Sequence, residues 1–172
     1  MRESGAAILN VPTPERMRVV GEAIAHAIDE VGGAFILALD GELGAGKTTL
    51  VSGILRAYGV KGPVRSPTYT LIEPYETAGK RIYHLDLYRL VDPGEVEPLG
   101  IRDLLSEAPV LLIEWPSRAA GALPAFDLTL GIDYLSTGGD GRRVALQPHS
   151  SSGANVVQRI VAAIPEMRLL SL

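Results

Sequence analysis

A glycine-rich segment that joins an apolar run to an amphipathic run constrains the fold of this chain more than any other feature. The apolar run, Ala34–Leu39, has the length and continuous hydrophobicity of a strand that is covered on both faces. The sequence GELGAGKTT follows at Gly41–Thr49, and the next residues, to about Tyr58, carry apolar side chains at helical spacing. The order strand, glycine loop, helix predicts an α/β fold.

The loop has the spacing of a phosphate-binding loop: a glycine, four residues, then glycine, lysine and threonine. In such loops backbone N–H groups surround phosphate oxygens, and the following helix presents the positive end of its dipole. We expect Lys47 to reach the β- and γ-phosphates of a nucleotide, and Thr48 to offer its hydroxyl to Mg²⁺. An incidental glycine-rich turn is the weaker interpretation, because the motif's strand and helix are both predicted. The predicted nucleotide site comprises Gly41, Glu42, Leu43, Gly44, Ala45, Gly46, Lys47, Thr48 and Thr49.

Composition narrows the class of protein. The 172 residues and 47% hydrophobic content are enough for a sizeable core, and we expect a single domain over residues 1–172. A net charge of −4 argues against a protein that binds nucleic acid through its overall charge. The absence of cysteine excludes disulfides, thiolate catalysis and thiolate zinc sites. Because the sequence has no apolar run of about 18 residues and no signal-peptide pattern, we expect a cytoplasmic protein.

The remaining periodicities predict a mixed sheet around this strand–loop–helix unit. Two extended segments that flank the turn 76–80 predict an antiparallel hairpin, and VLLIEW predicts a second buried strand. The predicted elements are a helix from Thr13 to about Val31, the hairpin Thr68–Tyr75 and Arg81–Leu90, the strand Val110–Trp115, the strand Phe126–Tyr134 with its partner Arg142–Gln147, a loop at 148–154, and a last helix through Val156–Ile164. The expected fold class is α/β, a P-loop NTPase-like three-layer sandwich. Its mixed sheet has a parallel core and antiparallel additions, and residues 148–172 form a C-terminal extension.

Two carboxylates are candidates for the chemistry that such a loop requires, because a phosphate loop usually works with a metal-binding acid on a neighbouring strand. Glu114 ends an apolar strand, where it either holds Mg²⁺, directly or through a water, or orients the attacking water. Asp86 lies between leucines in HLDLYRL; it either contacts the water shell of the metal, accepts a proton from water, or pairs with a neighbour such as Arg89. We predict Lys47, Asp86 and Glu114 as catalytic residues, and Thr48 and Glu114 as metal ligands.

Other polar and aromatic residues have weaker signals. The segment Ser66–Tyr75 is either a switch that senses the γ-phosphate or an ordinary strand rich in threonine and tyrosine. Trp115, the only tryptophan, is either packed in the core or exposed for stacking on a partner. Three arginines are interpreted as solvated surface residues rather than phosphate or interface contacts, and no two of the three histidines have metal-ligand spacing. These residues are Arg118, Arg142 and Arg143, and His26, His84 and His149.

The order of five motifs, GELGAGKTTL, SPTYTLIEPY, YHLDLYRL, GIRDLL and IEWP, closely resembles the TsaE family, formerly called YjeE. The resemblance spans about Val11 to Leu146. It implies a bacterial ATPase that works with two other proteins, TsaB and TsaD, to make threonylcarbamoyladenosine at position 37 of tRNAs that read codons starting with A. In that family the protein does not transfer the threonylcarbamoyl group itself, and its ATP hydrolysis permits repeated turnover.

The resemblance also implies roles for particular residues. The family's Mg²⁺ ligands match Thr48 and Glu114, and its functionally important acid matches Asp86. The adenine of ATP is expected near the helix start at Thr13. Many members have aspartate where this chain has Glu42, a change that keeps the charge. We further expect the isolated chain to be a monomer and to contact tRNA only indirectly, through the TsaB–TsaD complex.

Three alternatives stay open on the residues alone. A small-molecule kinase uses the same loop but normally has an arginine-rich lid, and the arginines within 60–110 are widely separated. A GTPase is disfavoured because neither asparagine, Asn10 or Asn155, is followed by the lysine of a guanine-binding motif. The third alternative is a nucleotide-gated binding module, in which ATP orders an interface and hydrolysis is incidental.

Overall fold

The computed structural model describes residues 5–77 and 79–169. Within these ranges it has seven strands and four α-helices. The strands are β1 (Ala7–Val11), β2 (Phe35–Gly41), β3 (Ile72–Thr77), β4 (Lys80–Asp86), β5 (Val110–Glu114), β6 (Leu128–Tyr134) and β7 (Arg142–Pro148). The α-helices are α1 (Pro14–Val31), α2 (Lys47–Ala57), α3 (Ile101–Leu104) and α4 (Ser151–Ala163), and short 3₁₀ segments occupy Pro93–Leu99, Leu105–Glu107, Pro116–Ala119 and Pro165–Met167.

The described strands form one mixed sheet in the order β1-β7-β6-β2-β5-β4-β3. Strand β2 lies between β5 and β6 and runs parallel to both, and β4 runs parallel to β5. The hairpin β3–β4 and the strands β7 and β1 add antiparallel pairings at the two sides. The predicted parallel core with antiparallel additions is therefore confirmed, and the carboxyl ends of β2, β4, β5 and β6 meet at one edge.

Two apolar layers cover the sheet, one on each face. Side chains alternate along a strand, so Phe35, Leu37 and Leu39 of β2 pack with α1, α2 and α4, whereas Ile36 faces the other way. That second face is covered by α3 and the first three 3₁₀ segments, through residues such as Val96. Both faces are buried, which explains why β2 and β5 are continuous apolar runs.

Helix α2, which begins at the phosphate loop, is set closely against α1. A Cβ atom on Gly53 would lie 2.2 Å from the backbone oxygen of Arg18, and one on Gly21 would lie 2.3 Å from the backbone oxygen of Leu50. The two helices thus approach through glycine on both sides. This close packing fixes the position of the α2 N-terminus relative to the sheet.

Several predicted boundaries are wrong, each for a local reason. Strand β1 was not predicted, because it is short and only Leu9 and Val11 are buried, which leaves too little alternation to detect. The predicted loop 148–154 contains the start of α4. Ser150 caps that helix, since its hydroxyl accepts a hydrogen bond from the N–H of Gly153 at 3.0 Å.

The hairpin is also displaced from its predicted ends. Residues 68–71 form a turn, in which the N–H of Leu71 donates to the Pro67 carbonyl at 2.8 Å, so β3 begins only at Ile72. Strand β4 ends at Asp86 rather than continuing to Leu90. Ala78, in the predicted turn 76–80, and residues 170–172, in the predicted extension 148–172, lie outside the described residues. No described helix is long and apolar enough to cross a membrane.

Candidate functional site

The phosphate loop connects β2 to α2 at the sheet edge where the parallel strands end. Gly46 immediately precedes α2 and has φ +113, a left-handed conformation that strains residues with a Cβ atom. No side chain caps this helix start, so its free N–H groups face the loop. The predicted strand, loop and helix are therefore all present and in the expected order.

Lys47 is nearly buried inside this loop, with 5% of its surface exposed. Its Nζ donates hydrogen bonds to the Gly41 carbonyl at 2.5 Å and the Glu42 carbonyl at 2.8 Å. The ammonium group also lies 4.1 Å from the ring centroid of Trp115, within cation–π range. Burial lowers the pKa of Lys47 from its usual value, and the carboxylates of Glu114, Asp86 and Asp40 act in the opposite direction. The loop therefore holds a desolvated cation, ready to exchange carbonyl oxygens for more strongly accepting phosphate oxygens.

Glu114 lies directly beside the loop at the end of β5. The Thr48 hydroxyl donates to its carboxylate, 3.0 Å from Oε1 and 3.4 Å from Oε2. His84 on the neighbouring strand β4 lies on the other side, with Nε2 2.8 Å from Oε1. Because a carboxylate only accepts, His84 donates through Nε2, and in the neutral ring Nδ1 is then an acceptor without a partner among the described residues. The two predicted metal ligands, Thr48 and Glu114, are thus in contact.

Asp86 is next to Glu114, because the two residues are register partners across the parallel pair β4–β5. Ser66 donates its hydroxyl to Asp86, and the Thr68 hydroxyl lies 3.4 Å from the same carboxylate oxygen. The backbone N–H of Tyr88 donates to the other oxygen at 2.9 Å. The predicted switch segment is therefore attached to the predicted catalytic acid through its first hydroxyls.

The charges of this cluster suit a divalent cation. Four ionisable side chains are buried among the described residues: Lys47, His84, Asp86 and Glu114. With histidine counted as neutral, their formal charges sum to −1. The two carboxylates and the Thr48 hydroxyl are hard oxygen ligands. No group of three or more histidine, aspartate or glutamate side chains in residues 5–77 and 79–169 has a metal-binding arrangement. Magnesium is commonly bound by one or two carboxylates, with water and phosphate as its other ligands, so the residues present fit this ion.

A cavity of about 410 Å³ opens in front of these groups. Its lining includes residues of the phosphate loop, the two carboxylates and the first hydroxyls of the switch segment: Gly44, Gly46, Lys47, Thr48, Thr49, Ser66, Thr68, Asp86 and Glu114. A second cavity of about 80 Å³ adjoins the loop on its other side and is lined in part by Thr13, Met17 and Arg142. Thr13 thus lies apart from the acids but close to the loop.

The loop residues differ in what they contribute. Glu42 contacts Lys47 through its carbonyl oxygen, and the side chain of Leu43 is 69% exposed. Trp115 has φ +58 and is half-buried: it contacts Lys47 and Tyr88 and also packs against the apolar layer on the second face of the sheet. Its ring lies against the Lys47 ammonium group.

Two residues of this region were not identified from the sequence. His84 was given no role, although it shares a strand face with Asp86, two residues away, and this spacing was the available signal. Arg142 was interpreted as a solvated arginine, and that interpretation is wrong. Its Nε donates to the carbonyl of Ala45 in the phosphate loop at 3.0 Å. No local sequence pattern could have indicated a contact between residues so far apart in the chain.

Comparisons of the sequence with known proteins identify its family. The sequence model of the family described as Threonylcarbamoyl adenosine biosynthesis protein TsaE matches residues 11–144. The tRNA threonylcarbamoyladenosine biosynthesis protein TsaE of Haemophilus influenzae is 48% identical over 124 residues, which cover 72% of this chain and 77% of the relative. The protein of the same name in Bacillus subtilis is 36% identical over 114 residues, 63% of this chain and 71% of that relative.

A solved structure has a similar fold. The crystal structure of Bacillus subtilis YdiB superposes with a TM-score of 0.76 at 23% identity and covers 91% of this chain and 95% of its own. At that identity the likeness shows the fold, which is P-loop NTPase-like as predicted. The family match spans all of the motifs that build the site, from the helix start at Thr13 to strand β7. This chain belongs to the TsaE family of threonylcarbamoyl adenosine biosynthesis proteins.

Proposed function

We propose that this chain is the ATPase subunit of tRNA threonylcarbamoyladenosine biosynthesis, binding Mg·ATP beside its phosphate loop and hydrolysing it together with a TsaB–TsaD pair. The observation that carries the proposal is the cluster of Lys47, Thr48, Asp86 and Glu114 around one cavity at the ends of parallel strands. The names of the Haemophilus influenzae and Bacillus subtilis relatives supply the pathway.

Lys47 provides the charge that holds the triphosphate. In the described conformation its ammonium group is bonded to two neutral carbonyl groups, Gly41 and Glu42. Hydrogen bonds to an anion are stronger than those to neutral acceptors, so bound phosphate draws the ammonium group away from these carbonyls. The loop N–H groups and the start of α2 bind the same phosphates.

Thr48 and Glu114 are the residues that hold the metal. If Mg²⁺ binds there, it would supply positive charge that stabilises the negative charge developing on the phosphates. A hydroxyl has one hydrogen and two lone pairs, so Thr48 could offer its oxygen to the ion while it still donates to Glu114. His84 would be a second side chain that keeps this carboxylate in place. Glu114 is 2% exposed, so the carboxylate is shielded from competing water.

Asp86 is assigned the orientation of the attacking water. It lies beside Glu114, lines the same cavity and accepts from Ser66, a residue of the switch segment. A change in the position of Ser66–Tyr75 therefore changes the partners of Asp86. We propose that the isolated chain hydrolyses ATP slowly, and that the TsaB–TsaD pair accelerates turnover by ordering this segment.

Reconstitution tests the proposal. Purified chain, TsaB–TsaD, tRNA and Mg·ATP are combined, and modified adenosine and released phosphate are followed over many turnovers. The Lys47→Ala variant is expected to stop both, whereas Lys61→Ala, which removes an exposed lysine after α2, leaves both unchanged.

Two results would contradict the proposal. One is multiple-turnover modification at the wild-type rate with Lys47→Ala. The other is a calorimetric titration in which the wild-type chain, alone or with TsaB–TsaD, takes up no Mg·ADP. Phosphate release without any added small-molecule acceptor separates an ATPase from a kinase.

A further inference from the structure

The hairpin formed by β6 and β7 contacts the phosphate loop; in the sheet it lies on the other side of β2 from β4 and β5, which carry the two carboxylates. Strand β6 pairs with β2 up to the Gly41–Ile132 register pair, so the end of β6 lies beside the loop that follows β2. Tyr134, the last residue of β6, faces Arg142, the first residue of β7, across the antiparallel pair. The guanidinium carbon of Arg142 lies 4.0 Å from the ring centroid of Tyr134. We call these two stacked residues the hairpin clamp.

The hairpin clamp binds two alternate carbonyl groups of the loop. The Tyr134 hydroxyl donates to the Leu43 carbonyl at 3.2 Å, and Arg142 Nε donates to the Ala45 carbonyl at 3.0 Å. Arg142 is itself fixed, because its Nη1 donates to the Gly141 carbonyl of the adjoining turn at 2.9 Å. A planar trans peptide directs its N–H opposite to its C=O. Holding these two carbonyl groups towards the hairpin therefore turns the following N–H groups away from it.

Those N–H groups belong to Gly44 and Gly46, which line both the 410 Å³ cavity in front of the carboxylates and the 80 Å³ cavity on the Arg142 side. The two glycines have φ +77 and +113, and glycine loses more conformational freedom than other residues when it is fixed. A loop of this kind binds an anion tightly only if its N–H groups are already oriented. We propose that Tyr134 and Arg142 are positioning residues that hold the phosphate loop in its anion-binding conformation, an inference that rests on the nucleotide-binding function proposed above.

The neighbouring pair of the same hairpin provides a matched control. Asp133 and Arg143 also face each other across β6–β7, and an exposed Arg143 Nη1 lies 3.8 Å from the Asp133 carboxylate. Side chains alternate along a strand, so Arg143 leaves on the face opposite to Arg142. Arg143→Met removes the same charge as Arg142→Met without removing a bond to the loop.

Calorimetric titration with Mg·ADP tests the inference on Tyr134→Phe, Arg142→Met, the double variant and Arg143→Met. Tyr134→Phe keeps the ring under the guanidinium group and removes only the hydroxyl. From the usual net value of a hydrogen bond, each single clamp variant is expected to weaken Mg·ADP binding about 3- to 10-fold. In the double variant, the fold loss of Mg·ADP affinity is expected to be smaller than the product of the two single-variant losses, because both residues hold the same loop. Arg143→Met is expected to stay within about twofold of wild type.

Thermal unfolding without nucleotide separates positioning from stability. Tyr134 is 46% exposed, and neither clamp residue belongs to the core. Without nucleotide, the clamp variants are therefore expected to have the same Tm as the wild-type chain. Mg·ADP is expected to raise the Tm of the variants less than that of the wild type. Three results would each overturn the inference while leaving the proposed function intact. The first is wild-type affinity for Mg·ADP in both clamp variants, and the second is an equal loss of affinity in Arg143→Met. The third is a loss of stability in the nucleotide-free variants that matches their loss of affinity. Absence of Mg·ADP binding by the wild-type chain would instead refute the proposed function, and this inference with it.

Discussion

His84 offers the sharpest separation between catalysis and stability in this protein. The side chain is fully buried, donates from Nε2 to Glu114 Oε1 across 2.8 Å, and leaves Nδ1 without a partner among the described residues. The variant His84→Leu removes the donor and the unpartnered acceptor together. Losing a hydrogen bond to a charged group costs about 1.5–3 kcal/mol, and removing a buried unsatisfied atom recovers about 1–3 kcal/mol.

These two contributions nearly cancel, so the free energy of unfolding of His84→Leu is expected to stay within about 1 kcal/mol of wild type. Catalysis has no such compensation. Side chains that orient a metal ligand typically contribute 10- to 100-fold to activity, and we expect kcat for ATP hydrolysis with TsaB–TsaD to fall by about that factor. The KM for ATP is expected to change little, because Lys47 and the loop are unaltered.

The matched variant is His84→Gln, whose side-chain amide can donate from nearly the position of Nε2. It is expected to retain kcat within about threefold of wild type. The assays are steady-state phosphate release and urea unfolding of the nucleotide-free chain. If His84→Leu keeps the wild-type kcat, or if His84→Gln is as slow as His84→Leu, His84 does not orient Glu114 for catalysis.

Other substitutions have expected outcomes that follow from the same contacts. Lys47→Ala should weaken Mg·ADP binding in calorimetry at least 10-fold. In the wild type, we expect affinity to fall as the pH rises into the alkaline range, because burial lowers the pKa of Lys47 and deprotonation removes its charge. Lys47→Ala should abolish this pH dependence. Glu114→Gln and Asp86→Asn should each lower hydrolysis about 10²-fold while ADP without Mg²⁺ still binds, and wild-type rates in both would remove their assigned roles. Gly53→Ala should reduce the free energy of unfolding in urea by about 1–3 kcal/mol, because its Cβ meets the Arg18 backbone; an unchanged midpoint would show that α1 and α2 can separate without loss.

The part of the site that the sequence predicts is the part built by neighbours in the chain. The strand, the loop and the start of α2 follow one another without interruption, so their order and spacing carried the information. Glu114 was predicted because an acid at the end of a second apolar strand must come to the same edge when the strands are parallel. Sheet topology alone then brings Asp86 beside it.

The contacts that the sequence did not predict join segments far apart. The clamp bonds from Tyr134 and Arg142 depend on the register of β6 against β2, which alternation along one strand does not specify. The contact of Ser66 with Asp86 depends on the turn at residues 68–71, where Leu71 adopts φ +66 although no glycine or asparagine marks the position. In both places the conformation is determined by tertiary packing rather than by the local sequence.

The pairing of β1 with β7 has a consequence for how the protein is made. The first described strand finds its partner only after the last strand of the sheet has been synthesised. A ribosome releases the chain from its amino end, so the phosphate loop emerges before the hairpin β6–β7 beside it. Pairings between distant segments also slow folding, because the long intervening chain must be ordered first. The growing polypeptide therefore exposes the unpaired backbone groups of β1 until β7 has been synthesised, and completion of the sheet is expected to be a late event in folding.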